Sequence, residues 1–80
     1  MNTLQLVMQK EGASCYTFEV INGNNVIATI KVVKELSDDN ELEVRKYKGF
    51  LMHTDLCEIL DNITGIISEI DDSKIAVQSN

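Results

Sequence analysis

Apolar residues fall at two different spacings along this chain, and the change from one to the other divides it. In the first third they alternate. Leu4, Leu6 and Met8 alternate with Thr3, Gln5, Val7 and Gln9, and Tyr16, Phe18 and Val20 alternate with Thr17, Glu19 and Ile21. Ala28, Ile30 and Val32 repeat the pattern between Val26 and Val33. A period of two marks a strand with one face buried. A fourth such run, Glu41 to Lys48, turns Leu42 and Val44 inward and Glu43, Arg45 and Tyr47 outward. From Thr54 to Ile70 the period lengthens. Leu56, Ile59, Leu60, Ile63, Ile67 and Ile70 then draw one apolar stripe along a helix. The order predicts an α+β fold: a four-stranded antiparallel sheet (ββββα) with one C-terminal helix packed on one face.

Turn chemistry separates the strands. Glu11-Gly12-Ala13-Ser14 is small and turn-prone, and Asn22-Gly23-Asn24-Asn25 tolerates the positive φ of a tight hairpin. Residues directly opposite in an antiparallel pair share a face, so the core sets of the second and third strands require a loop of odd length. A three-residue loop, Gly23 to Asn25, pairs Ile21 with Ile27, Val20 with Ala28 and Phe18 with Ile30. Ser37-Asp38-Asp39-Asn40 leads into the fourth strand, and Lys48-Gly49 breaks it. Thr54 is the expected N-cap of the helix, with Asp55 and Glu58 in the first turn where the helix dipole favours negative charge. Gly65 costs about 1 kcal/mol relative to Ala and marks a site for a kink or early stop. Asp71-Asp72-Ser73 is expected to end the helix. Residues 1–73 then form one domain, and residues 74–80, with Ile75 and Val77, a short tail.

Four strands span about 14 Å between outer axes, whereas a helix with its side chains is about 10 Å across. One helix does not cover such a sheet. On the opposite face Val7, Ile21, Ile27, Val33 and Tyr47 are expected to point outward, an apolar area that invites another chain, such as a second copy in a homodimer.

With 80 residues, the chain buries only about 60% of its unfolded surface, so a partner would add stability. Thirteen acidic residues against seven basic give a formal net charge of −6, which disfavours general attraction to phosphate or to an anionic membrane. The start, Met1-Asn2-Thr3-Leu4, lacks the basic opening of a signal peptide, and no apolar run approaches membrane-spanning length, so a cytoplasmic location is expected. Cys15 and Cys57 lie far apart without metal-clip spacing.

Candidate chemistry is sparse. His53 is the sole histidine, and Cys57 lies one helical turn along from it, but no third orienting group or oxyanion loop accompanies them. Asp38-Asp39-Asn40-Glu41 lacks the alternating ligands and central Gly of a calcium loop. Asn62-Ile63-Thr64 matches a glycosylation acceptor but falls inside the predicted helix. No cofactor, metal site or enzymatic activity is therefore expected.

Charge is unevenly placed. Asp55, Glu58, Asp61, Glu69, Asp71 and Asp72 make the helical half acidic, whereas Lys31, Arg45, Lys46 and Lys48 come from the sheet. On the outward face Lys31 and Arg45 are accompanied by Glu19 and Glu43, so cross-strand ion pairs and near neutrality are expected. The acids, with Tyr47, are the candidate surface for a basic or nucleic-acid-associated protein partner. The first functional expectation is accordingly a small acidic interaction protein that docks on such a partner, of the inhibitor kind carried by phages and mobile elements, including anti-CRISPR and other anti-defence types.

The run Lys48-Gly49-Phe50-Leu51-Met52-His53-Thr54-Asp55 is similar to a segment of the positive cofactor four family of single-stranded-DNA-binding domains. That family places a lysine-glycine, an alternating apolar pair and an acid just before its single helix, and the order of four strands and a helix also resembles it. The resemblance covers most of the chain in topology and about eight residues in motif. It implies a dimer whose curved sheet holds unpaired bases, with Lys46 and Lys48 as contacts. The chain departs from the family in being acidic and in lacking Trp. Single-strand binding through Lys31, Arg45, Lys46 and Lys48 is thus the second expectation.

Overall fold

The computed structural model describes residues 4–78, with side chains through Asp72. Four strands, β1 (Leu4–Glu11), β2 (Cys15–Asn22), β3 (Asn25–Val33) and β4 (Val44–Gly49), precede one helix, α1 (His53–Gln78). The strands form an antiparallel meander in the order β1-β2-β3-β4. The expected α+β arrangement is therefore the observed one. Thr3, placed in the first strand by its alternation, lies outside the described residues.

The alternation decides the core. Tyr16, Phe18 and Val20 of β2 and Ala28, Ile30 and Val32 of β3 are buried against Ile59, Ile63 and Ile67 of α1. Burying side chains of this size contributes about 1.5 to 3 kcal/mol each. No fully buried residue comes from β1 or β4 among the described residues, so the helix covers the two central strands most completely, while Leu4 and Leu6 of β1 pack partly buried against the core. Met8, Val44 and Tyr47 remain 37%, 40% and 38% exposed.

Three irregularities in pairing change which face each residue takes. In the β2–β3 hairpin Asn22 pairs with Asn25 and Ile21 with Val26, while Val20 pairs with Ala28 and Phe18 with Ile30. The loop therefore has two residues, Gly23 and Asn24, not the expected three. The parity argument required one extra residue, and Ile27, bulged out of the ladder, supplies it within β3. Gly23 carries φ 65 at the first loop position, the conformation two-residue hairpins need there.

In β4, Lys46 pairs with Lys31, Tyr47 with Ile30 and Lys48 with Thr29, but Val44 pairs with Val32. Arg45 is the extra residue. Without this bulge Arg45 would stand opposite buried Val32 on the helix side. With it, Val44 takes that place. Tyr47, expected to face outward, instead shares the helix side with Ile30, and Lys46 and Lys48 occupy the outer face. The strand is also shorter than expected. Its predicted first residues, Glu41 to Glu43, lie before it, although Leu42 still packs against the core. In β1 the bulge at Gln9 likewise sets Lys10 opposite Thr17 on the outer face and Glu11 opposite Tyr16 on the helix side.

The helix departs from expectation at both ends. The backbone N–H of Leu56 donates to Met52 O at 2.9 Å, so the helix begins before Thr54, which lies in the first turn and is not the N-cap. It passes through Gly65 without a break and through Asp71-Asp72-Ser73 to Gln78. Residues 74–78 are thus helix and not tail, and residues 79–80 lie outside the described residues. Among the described residues no helix is long and apolar enough to cross a membrane.

Candidate nucleic-acid interface

The outer face of the sheet carries the concentration of charge that the sequence pattern hides. Lys31 and Lys46 stand directly opposite each other, Lys48 lies one pleat along from Lys46, Thr17 of β2 stands opposite Lys31, and Thr29 of β3 stands opposite Lys48. Like charges directly opposite on a sheet destabilise the pairing. Thr17, Thr29, Lys31, Lys46 and Lys48 line a cleft of about 290 Å³.

That cleft continues in two directions. Toward the β1–β2 turn, Thr17 and Lys31 also line a depression with Lys10, Gly12, Ser14 and Cys15. Toward the end of β4, Thr29 and Lys48 also line a larger one, about 580 Å³, with Val26, Gly49 and Phe50. These three adjoining depressions, together the furrow of the outer face, carry Lys10, Lys31, Lys46 and Lys48. Glu19, opposite Val7 and Thr29, is the acid among the paired positions of this face.

The expected charge cancellation does not occur. Arg45 is taken up by Glu43, with Nε 3.1 Å from its carboxylate, both on the exposed bulged edge. Lys31 faces Thr17 and Lys46, not Glu19. Among the described residues none of Lys31, Lys46 and Lys48 has an ion-pair partner. Lys34, by contrast, is engaged: its Nζ lies 2.8 Å from Glu11 and 5.1 Å from the Tyr16 ring centre.

The six helix acids lie on the other side of the molecule. Glu58, Asp61, Glu69 and Asp72 are exposed, while Asp55 and Asp71 are partly buried at the flanks of the apolar stripe. Tyr47 does not extend this acidic surface. Its hydroxyl accepts a hydrogen bond from the Leu51 N–H at 3.2 Å, at the β4 edge.

The remaining sequence candidates resolve into local structure. Cys57 Sγ approaches His53 Nε2 at 3.7 Å across one exposed helical turn. Asp38 and Asp39 sit in a turn closed by its own bonds, Asn40 N to Ser37 O at 2.8 Å and Ser37 N to Glu41 O at 3.0 Å. Among the described residues no three His, Cys, Asp or Glu side chains form a group that would hold a metal ion. In Asn62-Ile63-Thr64, Ile63 is fully buried and the Thr64 hydroxyl donates to Leu60 O at 2.9 Å.

Sequence reasoning missed Lys10, Thr17, Thr29 and Phe50. A signal for Phe50 was present: Lys46, Lys48 and Phe50 are successive alternate positions. Comparison with family models, with curated proteins and with solved structures finds no significant match.

Proposed function

We propose that this protein is a non-enzymatic binding domain that holds single-stranded nucleic acid along the outer face of its sheet. The observation that carries the reading is the register of β4, which seats Lys46 and Lys48 beside Lys31 with no ion-pair partner among the described residues. A like-charged pair set against the stability of the sheet is accounted for by an anionic ligand that neutralises it. An open furrow, rather than the broad contact a duplex requires, suits a single strand tracked by cations. The resemblance of the β4–α1 segment to the positive cofactor four family points the same way, with Lys46 and Lys48 as contacts in both readings.

A homodimer belongs to this proposal, because Met8, Val44 and Tyr47 leave apolar surface on the two edge strands that a second copy would shield. The second reading is docking of a basic protein, as an inhibitor would, on the exposed helix acids Glu58, Asp61, Glu69 and Asp72.

Fluorescence anisotropy with labelled oligodeoxythymidine and with duplex DNA, at low and high salt, tests the proposal. Binding of the single strand that weakens steadily as salt rises is expected, with duplex bound more weakly. Absence of binding to the single strand at low salt would overturn it and leave the acidic docking surface as the better account. Sedimentation velocity on the same samples reads the oligomeric state, and a strict monomer with and without DNA removes the dimer.

A further inference from the structure

Phe50 is 95% exposed, the most open large apolar side chain of the described residues, yet its backbone is fixed. Its N–H donates to Ile27 O at 3.2 Å, and the next N–H, of Leu51, donates to the Tyr47 hydroxyl. Gly49, at φ 147, packs so closely on β3 that a Cβ there would stand 2.5 Å from Ala28 Cα and from Ile27 O. The chain is thus pinned on both sides of a ring left in water. Ordering a residue to expose a phenyl group gains nothing for the fold.

The ring borders the end of the lysine furrow, since Lys48 and Thr29 line both the cationic cleft and the one that Phe50 closes. We propose that Phe50 is the stacking platform for an unpaired base whose phosphates lie on Lys46 and Lys48. This deepens, and rests on, the single-strand reading above. The occupant follows from charge complementarity: an aromatic surface with lysines beside it suits a ligand that is flat and apolar at one end and anionic at the next. Every base offers a face to such a ring, so the contact adds affinity without sequence preference.

Three variants and two probes test this. Phe50→Ala is expected to bind oligodeoxythymidine roughly 5- to 150-fold more weakly than the parent, with an unchanged salt slope. On an abasic strand of equal length it is expected to match the parent. Phe50→Tyr is expected to retain binding. Because the chain has no Trp, F50W installs a single reporter whose emission is expected to be quenched by oligodeoxythymidine and not by the abasic strand. Parent-like affinity of Phe50→Ala for oligodeoxythymidine, together with unquenched F50W, would overturn the stacking role while leaving single-strand binding intact. Absence of binding by the parent protein would overturn both. The ring is solvent-exposed, so loss of folding is not expected, and circular dichroism of each variant checks this.

Discussion

At Gly49 the backbones of β3 and β4 approach until only a hydrogen fits on the α-carbon, and the residue takes a φ of 147 that side chains disfavour. The neighbours are backbone atoms and cannot swing aside. Gly49→Ala is therefore expected to destabilise the fold by about 2 kcal/mol or more, seen as a lower urea midpoint at unchanged slope. Gly65 is the opposite case. It is exposed in mid-helix, and a Cβ there would meet nothing within 4 Å. Gly65→Ala is expected to raise stability by about 1 kcal/mol in the same assay, since it removes backbone freedom from the unfolded chain. Were the two substitutions to act alike, the close approach at Gly49 would not be what holds the end of β4.

β4 shows how one inserted residue redirects a surface. The bulge at Arg45 lets two inward residues of opposite parity, Val44 and Tyr47, face the helix, and Lys46 and Lys48 face away from it. Arg45 is left at the edge with Glu43 at 3.1 Å, an exposed pair worth at most about 1 kcal/mol. The expected consequence is a separation among cations close in sequence. Lys46→Ala and Lys48→Ala should each reduce the slope of log affinity against log salt for a single strand by about 0.7, whereas Arg45→Ala should leave it nearly unchanged. Equal effects of all three would mean that the furrow is not the phosphate track. In β2 and β3 the alternation identified every buried strand residue correctly. At the hairpin, parity correctly demanded an odd residue, but bulge and loop satisfy parity equally well. The turn geometry placed that residue at Ile27.

Across the whole molecule the charges are segregated by the sheet. An acid on the outermost side of the helix lies about 15 Å from the lysine face, from a layer spacing near 10 Å and a helix radius near 5 Å. The screening length is about 8 Å at physiological salt, so a chain of net charge −6 presents a locally cationic surface to an anion seated there. At about 0.01 M salt the length grows to about 30 Å and the acids act across the molecule. Joint replacement Glu58→Gln, Asp61→Asn, Glu69→Gln and Asp72→Asn is expected to tighten single-strand binding several-fold at that low salt and to change it little near 0.15 M. An equal gain at both salts would place the acids in direct contact with the strand.

Periodicity by itself determined the order of elements, the identity of the core and the amphipathic stripe, because each depends on repeated local choices that one misplaced residue does not erase. Composition determined the net charge but not its placement. The faces of Tyr47, Lys46 and Lys48, the loss of Arg45 from the outer row and the exposure of Phe50 were decided only in three dimensions. A bulge inverts every face beyond it, and its position is set by which neighbouring strand offers a partner. The same limit applied to the helix: Asp71-Asp72-Ser73 reads locally as an end, yet the backbone hydrogen bonds carry the helix through these residues to Gln78.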